Sequence, residues 1–202
     1  MFARKVFVIS GFIFGSLLLL AIRFATYAPE HTHYHANFAV YINGQRETFK
    51  NPIYYQEAAI CSKGQAITKP EARAHLHDND NSAIHVHDHA VTWGQFFNNL
   101  GWNVGSDFIQ TDTNTMYRED GTNKLHIYIN EQDYTGITTL TNTVIKDKDR
   151  LLLSYGTQDT ASLVTEARAV SHSAARYDAS RDPANCTGHD QPTISERLHH
   201  LF

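Results

Sequence analysis

Histidines spaced two residues apart are the side chains in this sequence that could do chemistry. They form three clusters, which are His31-Thr32-His33-Tyr34-His35, His75-Leu76-His77-Asp78 and His85-Val86-His87-Asp88-His89. Random placement of 13 histidines in 202 residues would give about one such pair, whereas the chain has five. In an extended strand, residues i and i+2 lie on one face, so that two imidazoles can chelate one ion. The spacing therefore predicts a metal site.

The donor type narrows the choice of metal. Imidazole suits Zn, Cu, Ni and Fe, and we expect Zn or Cu(II), because a Cu(I) carrier would need ligand-spaced Met or Cys. One pair supplies two ligands and a Zn or Cu site needs three or four, so the clusters must meet in space. The primary candidate ligands are His33, His35, His75, His77, His85 and His87, and the secondary candidates are His31, His89, Asp78 and Asp88. A metal-free, pH-responsive histidine patch is the alternative.

The pattern around the clusters predicts how they come together. The polar stretch from Asp78 to Ile84 separates the second and third clusters and predicts a turn that folds them into a hairpin. Asp80, in the same stretch, could orient a histidine ring or fill a coordination position. The first cluster precedes alternating residues 38–42 and Asn43-Gly44, the dipeptide of a type I′ hairpin turn. Its contact with the other clusters is long-range, and the pattern does not reveal it.

Composition limits the class of protein. The chain is 42% hydrophobic and 19% charged, as expected for a folded domain, and its formal net charge is −4. A nucleic-acid partner is excluded, because phosphate binding needs a basic face and the sequence has no run of Lys or Arg.

Residues 1–30 have the composition of a targeting segment. Arg4 and Lys5 precede an apolar run from Val6 to Ile22, which is near the lower length limit for a bilayer span. The positive-inside rule keeps the basic end in the cytoplasm and places the rest of the chain outside it. We expect an uncleaved single-pass membrane anchor. The alternatives are a signal peptide cleaved at the weak small-residue site in 25–28, which would release a secreted protein, and a buried core helix.

The remaining sequence predicts one helix and several strands. Thr92 to Gly101 has a capping box, an apolar face at helical spacing and a C-terminal glycine. Lys124–Asn130 alternates as a strand and Tyr134–Leu140 is its expected partner. Arg150–Tyr155 is apolar enough for a central strand buried on both faces.

This order of hairpin, helix, strand pair and final central strand resembles the β-grasp, ubiquitin-like fold. Thr92–Gly101 is similar to the Thr-x-x-x-Leu-Leu-x-x-Leu-Gly helix of the small sulfur-carrier proteins, and Asp147–Leu153 is similar to their final strand. The resemblance covers Ala36–Gly156. It implies an α+β fold in which a mixed sheet packs on a short helix and carries a His-rich insertion. It does not imply the carriers' activity, because Gly156 is followed by further residues instead of ending a free Gly-Gly.

We therefore predict three parts: an anchor and linker (1–30), a His-rich β-grasp-like metal-binding domain (31–156) and a helical C-terminal tail (157–202). Within the tail, residues 161–179 and 194–202 have helical composition. Cys61 and Cys186 are the two cysteines of an exported chain, which predicts a disulfide. A cysteine ligand or free thiols are the alternatives.

The sequence favours a membrane-anchored extracytoplasmic metal-binding protein that serves as a carrier, scavenger or sensor. A His-ligated hydrolase or hydratase is the alternative, with an open metal position for water and Asp78 or Asp88 as general base. No motif assigns catalytic residues, so we lean against an enzyme. A metal-free envelope interaction or pH-sensing domain is a third hypothesis, and the sequence names no protein partner.

Overall fold

The computed structural model describes residues 2–27, 32–55, 70–77, 80–134, 140–179 and 194–201. They belong to two compact units. One unit comprises Met1–Glu30 and His189–Phe202, and the other is His31–Gly188.

The elements follow the chain in mixed α and β order. The helices are α1 (Phe2–Thr26), a 3₁₀ helix (Pro52–Tyr55), α2 (Pro70–Arg73), α3 (Trp93–Asn99), α4 (Thr160–Ala169), α5 (Ala174–Ala179) and α6 (Ile194–His199). The strands are β1 (Tyr34–Ile42), β2 (Gln45–Arg46), β3 (Ala74–His77), β4 (Asp80–Val86), β5 (Asn103–Val104), β6 (Phe108–Gln110), β7 (Met116–Arg118), β8 (Lys124–Ile129), β9 (Gln132–Asp133) and β10 (Arg150–Gly156).

Seven of the strands in the described ranges form one mixed sheet. Its order is β3-β4-β1-β10-β8-β9, with β2 also paired to β1. The β1–β10 pair is parallel, whereas β1–β2, β1–β4, β3–β4, β8–β10 and β8–β9 are antiparallel. Strands β5, β6 and β7 form a separate small sheet that the sequence analysis did not predict. The predicted β1–β2 hairpin is confirmed, with positive φ angles at Asn43 and Gly44.

The period of two along each strand divides the large sheet into two faces. On one face, residues such as Phe38, Ile84 and Leu151 join a buried aromatic and aliphatic core with the side chains of α3. On the opposite face, Ala39 and Leu152 pack with α4 in a smaller cluster. Both faces of β10 are therefore covered, which confirms its expected central position.

Helix α3 begins and ends as its sequence predicts. The Thr92 hydroxyl accepts from the Gln95 amide, and the Gln95 side chain accepts from the Thr92 amide, which completes the capping box. At the other end, Gly101 has φ +73°, and the amides of Gly101 and Trp102 donate to Asn98 and Phe97. This is a Schellman ending, which fixes the direction in which the chain leaves the helix.

Residues 157–179 of the predicted tail pack against the large sheet. The sequence predicted one helix over 161–179, but the structure has two, with a break at residues 170–173. Arg150 of β10 explains why α4 stops there: its Nη2 donates to the carbonyls of Ala167 (3.2 Å), Arg168 (3.2 Å) and Val170 (2.8 Å). A buried cation at the C-terminal end of a helix satisfies carbonyls that have no partner within the helix.

The unit that contains the N-terminus is built around α1. Its stretch Ile9–Thr26 has a mean hydropathy of 1.8 and is not buried, so it is long and apolar enough to span a membrane or to serve as a signal sequence. Helix α6 contacts the end of α1, where the Arg197 guanidinium donates to the carbonyls of Phe24 (2.6 Å) and Ala25 (3.0 Å).

The structure thus establishes a mixed α+β fold with one candidate span among the described residues, and it does not confirm the finer β-grasp assignment. The turn expected from Asp78 to Ile84 is shorter than predicted, because β4 already begins at Asp80. Strand β8 pairs with β9, at Gln132–Asp133. The partner strand expected at 134–140 falls mostly on residues 135–139, which lie outside the described ranges. Cys61 and Cys186 also lie outside them, so the disulfide stays a prediction.

We expect Arg150→Met to lower the free energy of unfolding by about 2–4 kcal/mol, because three carbonyls and Glu131 lose their donor. Urea denaturation of the full-length chain in detergent, followed by far-UV circular dichroism, measures this change. Arg168→Met is the matched control. Its side chain is 72% exposed and lies 3.8 Å from the same Glu131, so we expect a change within about 0.5 kcal/mol. Equal losses in the two variants would contradict the anchoring role of Arg150.

Candidate metal centre

Three histidines lie side by side across three neighbouring strands. His35 of β1 and His75 of β3 are each directly opposite His85 of β4 in the antiparallel register. All three are buried, on the face of the sheet opposite α3. The ring centroids of His35 and His75 lie 4.6 Å and 5.4 Å from that of His85. The first cluster, whose contacts the sequence could not reveal, therefore meets the other two at this point of the sheet.

A second pair of histidines extends this row by one step along the strands, and we call the five residues together the histidine patch. His33 lies just before β1 and His87 just after β4, and their rings stack with centroids 4.8 Å apart. The His87 amide donates to the carbonyl of Arg73 (2.9 Å), which keeps His87 aligned with β4. Because His33 and His87 are two residues from His35 and His85, all four follow the parity of one face.

His33, His85 and His87 form a group that could hold a metal ion. One nitrogen from each ring lies within 4.8 Å of the other two. His33 Nε2 and His85 Nδ1 are 3.1 Å apart, near the separation of about 3.3 Å that two nitrogens have on a tetrahedral zinc ion with ordinary Zn–N distances. His85 and His87 are buried and His33 is half-buried. His87 Nε2 is buried without a hydrogen-bond partner among the described residues, which is unusual for a buried polar atom.

A carboxylate from α5 orients one ring of the patch. Asp178 Oδ1 lies 2.7 Å from His35 Nδ1, and Asp178 Oδ2 lies 3.0 Å from Lys148 Nζ. Burial opposes ionisation of Asp178, but the hydrogen bonds from His35 and Lys148 outweigh it and hold the pKa of this carboxyl below its usual range. A carboxylate oxygen accepts hydrogen bonds, so this short contact favours the His35 tautomer that has its proton on Nδ1.

A separate polar network holds α5 against the sheet. Asn37 accepts from the Ala174 amide (2.9 Å) and donates to the Ser82 carbonyl (2.8 Å). Tyr177 donates to Asp80 Oδ2 (2.8 Å). Burial disfavours the Asp80 anion, but its hydrogen bonds from Ser82, Tyr177 and Ser173 hold the pKa of Asp80 below its usual range. Asp80 therefore helps to hold α5 on the sheet, whereas the sequence suggested that it could orient a histidine ring or fill a coordination position.

Other candidate ligands lie apart from this patch or outside the described residues. His89 is exposed, and its ring contacts the Thr32 hydroxyl (2.8 Å from Nε2). Asp88 pairs with the Arg73 guanidinium (2.7 Å) instead of a histidine. His77 is the last residue of β3, and its side chain is not described. The positions of His31 and Asp78 also lie outside the described residues.

Sequence reasoning missed Asp178 and the neighbouring Tyr177, whose ring centroid lies 5.6 Å from that of His35. Both lie in the tail, almost ninety residues beyond the last of the histidine clusters, in a short stretch with no ligand spacing. The acidic residue next to an aromatic one was the only local signal, and it is too common to select a site.

His87→Ala and His89→Ala test whether the buried face binds metal. We expect His87→Ala to weaken Zn(II) binding at least about 10-fold, the loss that even an outer-shell partner of a metal ligand causes. His89→Ala, in the same His-x-His pair, should leave binding unchanged because its ring is exposed and turned to Thr32. Competition with a chromophoric chelator measures both affinities, and an equal loss in the two variants would contradict the assignment.

Comparisons of this chain with protein-family models, with curated proteins and with solved structures found no match. The function is therefore inferred from the chemistry of the histidine patch.

Proposed function

We propose that this protein is a membrane-anchored, extracytoplasmic metal-binding protein, a carrier, scavenger or sensor of Zn(II) or Cu(II). The observation that carries the proposal is the group formed by His33, His85 and His87, whose nitrogens lie within 4.8 Å of one another. Three neutral nitrogen donors suit Zn(II) and Cu(II), whereas Mg and Ca take oxygen ligands. Cu(I) would favour sulfur, which this group does not contain.

Burial supports a role in binding over an exposed cluster without function. His35, His75, His85 and His87 are at most 6% exposed. Polar rings are costly to remove from water, and a buried imidazole nitrogen usually has a hydrogen-bond partner or a metal ion. A bound ion would supply that partner for His87 Nε2.

The membrane anchor and the β-grasp architecture are the finer parts of the proposal. Helix α1 supports the anchor by its length and composition, and Arg4 and Lys5 at its start favour export of the rest of the chain. The β-grasp assignment is supported by the succession of the β1–β2 hairpin, α3, the β8–β9 pair and β10, which lies parallel beside β1. The β3–β4 hairpin is part of the His-rich insertion and extends the sheet beyond β1.

Equilibrium dialysis of the full-length chain in detergent, purified without a metal-affinity column, tests the function. We expect stoichiometric uptake of Zn(II) or Cu(II), because the wild-type patch offers at least three convergent imidazoles. The double variant His85→Ala/His87→Ala should lose this uptake.

The control is His126→Ala/His172→Ala, which removes two histidines that lie outside the patch. It should bind as much metal as the wild type. Retained uptake in the His85/His87 double variant, or no uptake by the wild type, would refute the proposed function.

The orientation in the membrane is tested with alkaline phosphatase fused after Phe202, since this enzyme is active only outside the bacterial cytoplasm. We expect an active fusion in intact cells, because Arg4 and Lys5 hold the N-terminus inside. Arg4→Glu/Lys5→Glu should lower the activity per fusion molecule. An inactive wild-type fusion at normal abundance would contradict an extracytoplasmic domain.

A further inference from the structure

We propose that His35 is the fourth imidazole ligand of the metal centre and that Asp178 is the positioning residue that fixes its ring. This inference rests on the proposed function and deepens it, because it defines the coordination of the bound ion. It follows from three independent features of the patch: the contacts of the His35 ring, its hydrogen bond to a carboxylate, and the network that holds that carboxylate in place.

The His35 ring lies beside two members of the group of three. Its centroid is 4.7 Å from that of His33 and 4.6 Å from that of His85, with interplanar angles of 73° and 66°. It is the edge-on neighbour of both rings. At these angles the ring does not stack on the other two, and it stands next to the group of three without being one of its members. The residue is 1% exposed, so an ion bound here would be shielded from water.

The carboxylate determines which nitrogen of His35 is the ligand. Nδ1 is turned to the Asp178 carboxylate at 2.7 Å, so we assign Nε2, on the other side of the ring, to the metal. A ligand histidine in proteins usually donates its other N–H to a carboxylate or carbonyl, which fixes the tautomer and makes the ring a better donor. His35 and Asp178 have this arrangement, at 2.7 Å.

Lys148 links the Asp178 carboxylate to strand β1. Its side chain binds Asp178 Oδ2 at 3.0 Å, while its backbone amide donates to the carbonyl of His35 at 2.8 Å. Helix α5, which carries Asp178, is itself fixed to the sheet by Asn37 and by the Tyr177–Asp80 hydrogen bond. The Asp178 side chain is therefore held from both sides, as a supporting residue of a preorganised site must be.

Four imidazoles would complete a tetrahedral Zn(II) site and leave no open position. Sites with four protein ligands hold the ion, whereas catalytic zinc sites keep a position for water. The assignment therefore favours a carrier, scavenger or sensor over the hydrolase or hydratase alternative.

X-ray absorption spectroscopy of the Zn-loaded full-length chain in detergent tests the ligand count. We expect four imidazole nitrogens in the wild type and three in His35→Ala. Three nitrogens with one oxygen in the wild type would overturn the inference. Loss of the fourth imidazole in His75→Ala, with His35→Ala unchanged, would also overturn it. The wild-type spectrum tests the ligand count even if a variant does not fold.

Chelator competition with Zn(II) tests the positioning residue. We expect Asp178→Asn to weaken binding about 10- to 100-fold, the range for outer-shell partners of ligand histidines. Asp107→Asn is the control: Asp107 pairs with Arg118 in the small sheet, both side chains are about half exposed, and we expect a change within about fivefold. In the His35→Ala background, Asp178→Asn should have no further effect, because the two residues act through one ligand.

The two proposals fail in different ways. A wild-type chain that takes up no metal refutes the proposed function. Two results would refute only the role of Asp178, provided that the wild type binds Zn(II) normally. One is an unchanged affinity in Asp178→Asn. The other is an equal loss from Asp178→Asn with and without the His35→Ala change.

Discussion

The register of β4 between β1 and β3 determines where the histidines lie. Ile84 and Val86 are drawn to the core that contains α3, and the strand's period of two then turns His85 to the opposite face. The same alternation in β1 turns Tyr34 and Ala36 towards that core and turns His35, which lies between them, to the opposite face. A slip of one residue would exchange the imidazoles with the core side chains. The apolar core thus specifies the histidine patch, although no core side chain needs to touch a metal.

How much of this could be predicted from the sequence depends on whether the signal is local. The capping box at Thr92, the Gly101 ending and the Asn43-Gly44 turn are encoded within a few residues, and the structure has each of them where expected. The parity of the His-x-His pairs was also a local signal. The pairing of β1 with β4 was not, because long-range strand partners are chosen by the whole core. Asp178 was missed for the same reason, since only the packing of α5 brings it to His35.

The carboxylates around the patch each have a cationic or hydroxyl partner. Asp88 is matched by Arg73 and Asp178 by Lys148, while Asp80 is solvated by the hydroxyls of Ser82, Ser173 and Tyr177. Burying neutral imidazoles costs less than burying unpaired carboxylates. Such a site can remain folded without its ion more easily than an acidic site, in which like charges would repel one another.

The sheet topology also bears on the order in which the site can assemble during folding. The β3–β4 hairpin closes a short loop and brings His75 opposite His85 at small entropic cost. The pairing of β1 with β4, which brings His35 opposite His85, and the docking of α5 close much longer loops, which is slower for a folding chain. His75 and His85 can therefore meet before His35 and Asp178 arrive. An ion captured by the early hairpin would be enclosed as the final elements fold over it, so the nascent chain would acquire its metal by a different route from the finished protein.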